Sequence, residues 1–260
     1  DLICDLEFET LDQGAMLGFE TIFHLAGLAH EISGSKKNLD KYIKLNFEAT
    51  INLAKQASEE QVKNFIFIST VKAEIADHFL NSAHSKSKNI YAETKRKAEL
   101  ELLKLSKETD MRICIVRPAL VYGPHLKGNL LTMKKVIEKG WFLPLPRIKN
   151  SRSMIHVDDL VKALLLIEEK GSNGEIYNVT DGVSYSTSEI YEILSDIAQK
   201  KQPSFHIPLV FLKMLKIISI GKLKATLKKL LEDELYNSSK INDLGFRAKL
   251  RFENLNETLF

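Results

Sequence analysis

The chain has 260 residues, 44% of them hydrophobic and 27% charged, which suits one large globular domain or two small ones. A formal charge of +3 gives no reason to expect nucleic acid as a partner, and the seven histidines show no metal-ligand spacing. No apolar run approaches the ~20 residues that a bilayer-spanning helix needs. The two cysteines, Cys4 and Cys114, each lie in or beside an apolar run and far apart, so they read as buried thiols of a reducing cytoplasm rather than a disulfide.

The chain opens at Asp1, without an initiator methionine, on the edge of a strand at Leu2-Ile3-Cys4, and reads as a fragment whose first part is missing. Thr21 to Gly27 is a short apolar run closed by glycine, as expected of a buried parallel strand. A helix follows from Leu39 to Glu60, with Tyr42, Asn46, Ala49 and Leu53 on one face. Asn64 to Thr70 is a second apolar strand that turns hydroxylated at its end, and a polar loop, Lys72 to Asn89, leads to the next helix. Arg112 to Pro118 is a third buried strand. Alternating strands and helices imply an α/β fold with a parallel sheet covered on both faces, and ligands bind beyond the carboxyl ends of such strands. Gly27, Thr70 and Pro118 all fall at those ends.

After Pro124 the pattern loosens. Asn129 is placed to cap a helix from Leu130 to Lys139 that stops at Gly140. Arg152 to Leu160 leads into a helix ending near Glu169, and Ile176 to Val179 is a strand closed by Asp181-Gly182. Ser186 and Glu189 form a capping box for a helix to Lys200. The stretch from Ile207 to Leu231 is helical and amphipathic, with Lys213, Lys216, Lys222, Lys224, Lys228 and Lys229 beside leucines. A helix on a membrane surface is one reading of it; a solvated face packed on its own domain is the one adopted here.

The helix that begins at Ile90 carries the most informative residues. Tyr91, Lys95, Ala98, Leu102 and Leu105 follow at steps of 4, 3, 4 and 3, one inward face of a helix. A lysine on such a face costs several kcal/mol unless its charge is used. A phenol with an ordinary pKa of about 10 is a poor base, and a nearby ammonium lowers that value, so Tyr91 and Lys95 one turn apart suit a proton shuttle. Taken alone, the pair reads more readily as a half-buried core tyrosine with a lysine snorkelling past it.

Taken together, several segments resemble the extended short-chain dehydrogenase/reductases, in their nucleotide-sugar epimerase and dehydratase branch. They are Cys4-Asp5-Leu6, His24-Leu25-Ala26-Gly27, Asn46, Phe67 to Lys72, Tyr91-x-x-x-Lys95, Arg117-Pro118 with Tyr122-Gly123-Pro124, and Arg152 to Asp159. Ser239-Lys240-Ile241 and Leu244-Gly245-Phe246 fit as well. The resemblance is closest to UDP-glucose and UDP-N-acetylglucosamine 4-epimerases of polysaccharide biosynthesis. It implies a Rossmann-like doubly wound domain over residues 1–123, incomplete at its start, and a smaller α/β substrate domain over 124–260, with 152–170 returning to the first. The implied cofactor is NAD, with NADP left open, and dimers are common among relatives.

The resemblance also implies roles. Asp5 would accept from the adenine amino group and Leu6 would pack on the ring. Leu25, Ala26 and Gly27 would line the pyrophosphate and nicotinamide ribose, with Asn46 supporting that wall and Pro118 against the cofactor. Tyr91 would be the general acid/base, Lys95 would hold the ribose and depress the tyrosine pKa, and Thr70 would hydrogen-bond the reacting sugar oxygen. Lys72, Arg152 and the Asn129 helix would bind substrate, Arg152 as a diphosphate clamp. His24, His78 and His156 are read as structural.

Two features depart from the family pattern. None of the 12 glycines forms the Gly-x-x-Gly-x-x-Gly phosphate turn, so roughly 40–60 residues of two βα units are expected to be missing and the chain to bind cofactor poorly. Leu120 stands where many epimerases carry a phosphate-contacting asparagine. The reading adopted is a C4 epimerase of a UDP-hexose or UDP-N-acetylhexosamine. The alternatives are an NAD(P)H-dependent 4-reductase of an NDP-4-keto-6-deoxy sugar and, from another class, a non-catalytic NAD(P)-sensing protein. A 4,6-dehydratase is disfavoured by Val71-Lys72, where those enzymes carry Asp-Glu.

Overall fold

Strands that are apolar without alternation must be covered on both sides, and three such runs organise the fold. The computed structural model describes residues 4–6, 9, 11–29, 36–75, 89–124, 128–140, 146–201 and 206–255, with backbone alone at 36–38, 129, 221, 222, 225 and 229. The expected strand at Leu2-Ile3-Cys4, most of the 72–89 loop and His78 lie outside these residues.

Strands β1 (Thr21–His24), β2 (Asn64–Ile68), β3 (Arg112–Pro118) and β6 (Ile176–Val179) form one parallel sheet in the order β1-β2-β3-β6. Their register pairs Phe67 with both His24 and Ile115, so all carboxyl ends emerge at one edge. Phe65, Phe67, Ile113 and Ile115 point to one face, into a core with Ala54 and Ala57 of α2 (Ala49–Glu59) and Ala98 and Leu102 of α3 (Ile90–Glu108). Alternate residues Ile66, Cys114 and Val116 are buried on the other face. There α5 (Val157–Lys170) ends at Gly171, where a Cβ would come within 2.5 Å of the Ile167 carbonyl oxygen and 2.9 Å of Cys114 Sγ. Helices on both faces of a parallel sheet make this a Rossmann-like doubly wound α/β fold. Both cysteines are free, and burial pushes the Cys114 thiol up to about 11, which leaves it inert.

The chain divides into two compact units. One comprises residues 1–119, 161–179 and 238–246; the other comprises 120–160, 180–237 and 247–260. The second unit has a sheet of β4 (Leu120–Tyr122), β5 (Arg152–His156) and β7 (Ser184–Tyr185), β4 parallel and β7 antiparallel to β5. Its core joins Tyr122, Met154, Tyr185 and Phe252 to Leu130 and Ile137 of α4 (Gly128–Glu138) and Ile190 and Leu194 of α6 (Thr187–Ile197). Ser186 and Glu189 form the capping box that opens α6.

Four expectations need correction. The strand read over Thr21 to Gly27 ends at His24, and Leu25, Ala26 and Gly27 leave the ladder as exposed backbone. The helix read from Leu39 to Glu60 starts at Lys36 and is interrupted between α1 (Lys36–Ile43) and α2 by a π-helical turn at Lys44–Glu48. Asn129 is not a cap: α4 starts at Gly128, which puts Asn129 inside the first turn. The Ile207 to Leu231 stretch is two helices, α7 (Leu209–Ile218) and α8 (Gly221–Leu231), and no residue of α7 is buried, so its apolar side is not packed on its own domain.

Candidate active site

The site grows from the carboxyl end of β2. Ser69 N–H donates to the Val116 carbonyl at 2.7 Å and Val71 N–H to the Pro118 carbonyl at 3.3 Å, so the chain follows β3 past the end of β2. Between them, Thr70 is buried, and its Oγ1 accepts from the Lys72 N–H at 3.3 Å in a local side-chain turn. The Thr70 hydroxyl lies beside the Tyr91 phenol and lowers its pKa.

Tyr91 stands in the first turn of α3. Asn89 caps that helix, its Oδ1 accepting from Ala92 N–H at 3.2 Å, and Glu93 adds favourable charge at the positive end of the helix dipole. One turn on, Lys95 is 3% exposed. Its Nζ donates to the Ile68 carbonyl at 2.9 Å and sits 4.5 Å from the centre of the Phe67 ring, a cation–π arrangement. Burial lowers the Lys95 pKa from 10.5 to about 8, and the Glu99 carboxylate one turn further pulls it back upward. At neutral pH the ammonium therefore persists at the inner wall of the site.

The tyrosine departs from expectation. Burial raises its pKa above the ordinary 10, the Thr70 hydroxyl lowers it, and the neighbouring Tyr42 raises it again. The Lys95 ammonium is engaged with the Ile68 carbonyl. Burial, the largest of these causes, leaves the phenol above its ordinary value, where a depression by Lys95 was expected.

The loop after β1 closes the site. Asn46, in the π-helical turn, is fully buried; its Oδ1 accepts from Leu28 N–H at 2.7 Å and its Nδ2 donates to the Leu28 carbonyl at 3.0 Å. This two-point clamp holds Leu25 to Leu28 in place, and the π-turn is what points Asn46 at it; such turns recur at functional sites. A Cβ on Gly27 would meet Asn46 Oδ1 at 2.9 Å and Lys95 Nζ at 3.1 Å, so only glycine lets the loop lie that close. His24 is stacked on Phe67 with ring centroids 5.7 Å apart and shares a 2.9 Å hydrogen bond between Nε2 and Thr50 Oγ1. Burial and the Lys95 charge push its pKa down to about 4, so it is a neutral core histidine.

Thr70, Tyr91, Lys95, Gly27 and Asn46 are therefore gathered at one sheet edge, with Leu25 and Ala26 exposed beside them and the buried Pro118 at the end of the next strand. Lys72 is half-buried and opens a short helical segment at 72–75, where the start of a polar loop was expected. Asp5, exposed, and Leu6 lie in an irregular segment where the Asp5 N–H donates to Glu9 Oε2 at 3.0 Å. Arg152 belongs to the second unit: it is buried, Nη1 is 3.3 Å from Glu234 Oε2, and Nε and Nη2 have no hydrogen-bond partner among the described residues. Of Asn129 only the backbone is described.

Two supports were missed by sequence reasoning. Thr94 Oγ1 donates to the Ile90 and Tyr91 carbonyls at 2.9 and 3.1 Å and accepts from Asn46 Nδ2 at 3.3 Å, tying the Tyr91 turn to the loop clamp. Glu99, fully buried, takes a fork of bonds from Arg117, Nε at 2.8 Å and Nη2 at 2.6 Å, and a further one from Arg96 at 2.9 Å. Its position four residues after Lys95 on the inward face was the available signal.

The profile of the NAD dependent epimerase/dehydratase family matches residues 4–180. Over 218 residues the chain is 31% identical to a UDP-glucose 4-epimerase of Vibrio cholerae, covering 78% of this chain and 66% of that protein. It is 28% identical over 205 residues to an N-acetyl-alpha-D-glucosaminyl-diphospho-ditrans,octacis-undecaprenol 4-epimerase of Escherichia coli O157:H7, covering 77% of this chain and 61% of that one. The chain thus spans less than two thirds of the length of these relatives. Among solved structures, a UDP-N-acetylglucosamine 4-epimerase of Methanobrevibacter ruminantium M1, in complex with UDP-N-acetylmuramic acid, superposes with a TM-score of 0.72. It is 21% identical and covers 97% of this chain and 77% of that one, a likeness of fold.

Proposed function

Because the chain belongs to the NAD dependent epimerase/dehydratase family, we propose that it carries the proton-transfer site of a C4 epimerase acting on a sugar diphosphate, with a UDP-hexose or UDP-N-acetylhexosamine as substrate. The observation that carries this reading is the buried Lys95 ammonium one helical turn from Tyr91, with the Thr70 hydroxyl beside the phenol. A hydroxyl, a phenol and a cation at the carboxyl edge of a parallel sheet are what proton transfer at a sugar oxygen needs.

The residues present fit the nicotinamide-ribose end of the cofactor. The loop Leu25 to Gly27 is exposed, held by Asn46, and free of a Cβ where Gly27 meets Lys95. When bound, the nicotinamide supplies a hydride acceptor and donor. Lys95 would hold the ribose hydroxyls, and Asp5 and Leu6 would take the adenine. Tyr91 would move the proton at the sugar O4, and Thr70 would hold that oxygen in line. Arg152 suits the substrate diphosphate, since the buried Nε and Nη2 of its planar guanidinium have no partner among the described residues. That group is common to a nucleotide sugar and to the diphospho-undecaprenol named for the E. coli relative.

A second reading uses the same residues once, with the Tyr91 phenol delivering its proton to a 4-keto oxygen, as a 4-reductase requires. The deciding experiment is NMR of UDP-glucose and UDP-N-acetylglucosamine incubated with the protein and NAD. Conversion at C4 without net change in nicotinamide absorbance supports the epimerase. Stoichiometric loss of NAD(P)H with a 4-keto sugar supports the reductase. Unchanged sugars in the presence of bound NAD refute both and leave a cofactor-sensing protein.

A further inference from the structure

Helix α7 is built inside out for a solvated helix. Val210, Met214, Ile217 and Ile218 follow at i, i+4, i+7 and i+8, which is one face, and Phe211 widens it. These five residues are 59–77% exposed, and Ile220, in the turn to α8, is 87% exposed. The opposite side of α7 carries Leu209, Leu212 and Lys216, which are half-buried. The apolar face therefore points outward, and contiguous exposure of this kind marks an interaction surface.

The element that bears it is anchored. In α8, Leu227 is buried, the Leu230 carbonyl accepts from Thr187 Oγ1 at 2.9 Å, and Lys216 of α7 reaches Glu232 at 2.8 Å. The exposed face is thus a fixed ridge of the second unit.

Charge identifies the occupant. Residues 207–231 contain six lysines and no acidic residue, in a chain whose net charge is +3, so the remainder carries −3. Lys213 flanks the apolar stripe and is exposed, as are Lys224 and Lys228 on α8. Glu232, just beyond α8, offsets part of this charge through Lys216 and Lys228. An apolar stripe flanked by the exposed Lys213, in a segment with six lysines and no acidic residue, matches the acyl boundary and anionic headgroups of a bilayer. It matches a second copy poorly, because two such faces would set like charges together. At 10 residues, α7 is too short to cross a bilayer and would lie along it.

We propose that α7 and the α7–α8 turn form a docking surface for an anionic lipid bilayer, seating the second unit flat on the membrane through Val210, Phe211, Met214, Ile217, Ile218 and Ile220. This reading is independent of the reaction proposed for the first unit.

The test is co-sedimentation of the whole chain with phosphatidylglycerol-rich vesicles and with phosphatidylcholine vesicles. Binding to the former is expected to exceed binding to the latter and to fall as salt rises. The Ile217→Glu/Ile218→Glu variant is expected to bind at least about tenfold more weakly. These side chains lie outside both cores, and a thermal melt matching the parent's checks the fold. Phe211→Trp, which removes no apolar group, gives a second readout: its emission should shift blue on adding anionic vesicles, relative to the unsubstituted protein. No binding by the parent, undiminished binding by the folded double variant, or no blue shift would each overturn the proposal. So would a parent that ignores vesicles and is a dimer the double variant dissociates, since a second copy would then cover the ridge.

Discussion

Replacing Lys95 by methionine should make the protein more stable and inactive, and the size of the gain follows from the site. Burial lowers the Lys95 pKa from 10.5 to about 8, a shift that at ~1.36 kcal/mol per unit makes the charged form about 3 kcal/mol less favourable in the folded chain. Methionine keeps the length and apolar stem but leaves the Ile68 carbonyl without its 2.9 Å donor, a loss of about 1 kcal/mol. The net gain is about 2 kcal/mol at pH 7, or roughly 4–8 °C in Tm for a chain of this size. The sign with pH follows from linkage. Between about 8 and the ordinary 10.5, the unfolded lysine holds a proton that the folded one has released, so this group adds stability as pH rises through that window. It adds none further above 10.5, and the gain is lost again as pH falls to 8. The variant has no such slope. Urea denaturation of both proteins at pH 7 and pH 10, without nucleotide, measures both effects. A variant less stable than the parent at pH 7, or one that keeps the parent's pH slope, would refute the claim that a desolvated charge is held here at a cost in stability.

Tyr91→Phe should lower turnover by about 10²-fold or more with little change in stability, since only the phenol hydroxyl beside Thr70 is removed; sugar NMR with NAD measures it. Gly27→Ala places a Cβ 2.9 Å from Asn46 Oδ1 and should weaken NAD binding in calorimetry by about tenfold or more, as the Asn46 clamp is displaced. Arg117→Met leaves the buried Glu99 carboxylate with Arg96 alone and should cost about 3 kcal/mol in urea denaturation; adding Glu99→Leu should recover most of it. Arg152→Met should raise KM for a sugar diphosphate by about tenfold with a smaller change in kcat, the signature of a group that binds ground and transition states alike.

The first unit was legible in the sequence because two independent periodicities constrain it. Strands buried on both faces leave unbroken apolar runs, and Phe65 to Ile68 and Ile113 to Val116 are such runs, so β2 and β3 could be found without a partner. The inward stripe of α3 marked Tyr91 and Lys95 for the same reason. What escaped depends on neighbours that no local pattern reports. The π-turn aims Asn46 at Leu28 only because the loop after β1 is there to receive it. The phenol's pKa is raised by how much water the fold removes, which spacing on a helix does not convey. In α7 the failure ran the other way. The stretch from Ile207 to Leu231 was read as amphipathic, yet an amphipathic pattern states only that two sides differ. Which side turns to the protein is decided by what is present to cover it, and here the leucines of the narrower side take that contact while the isoleucines face outward.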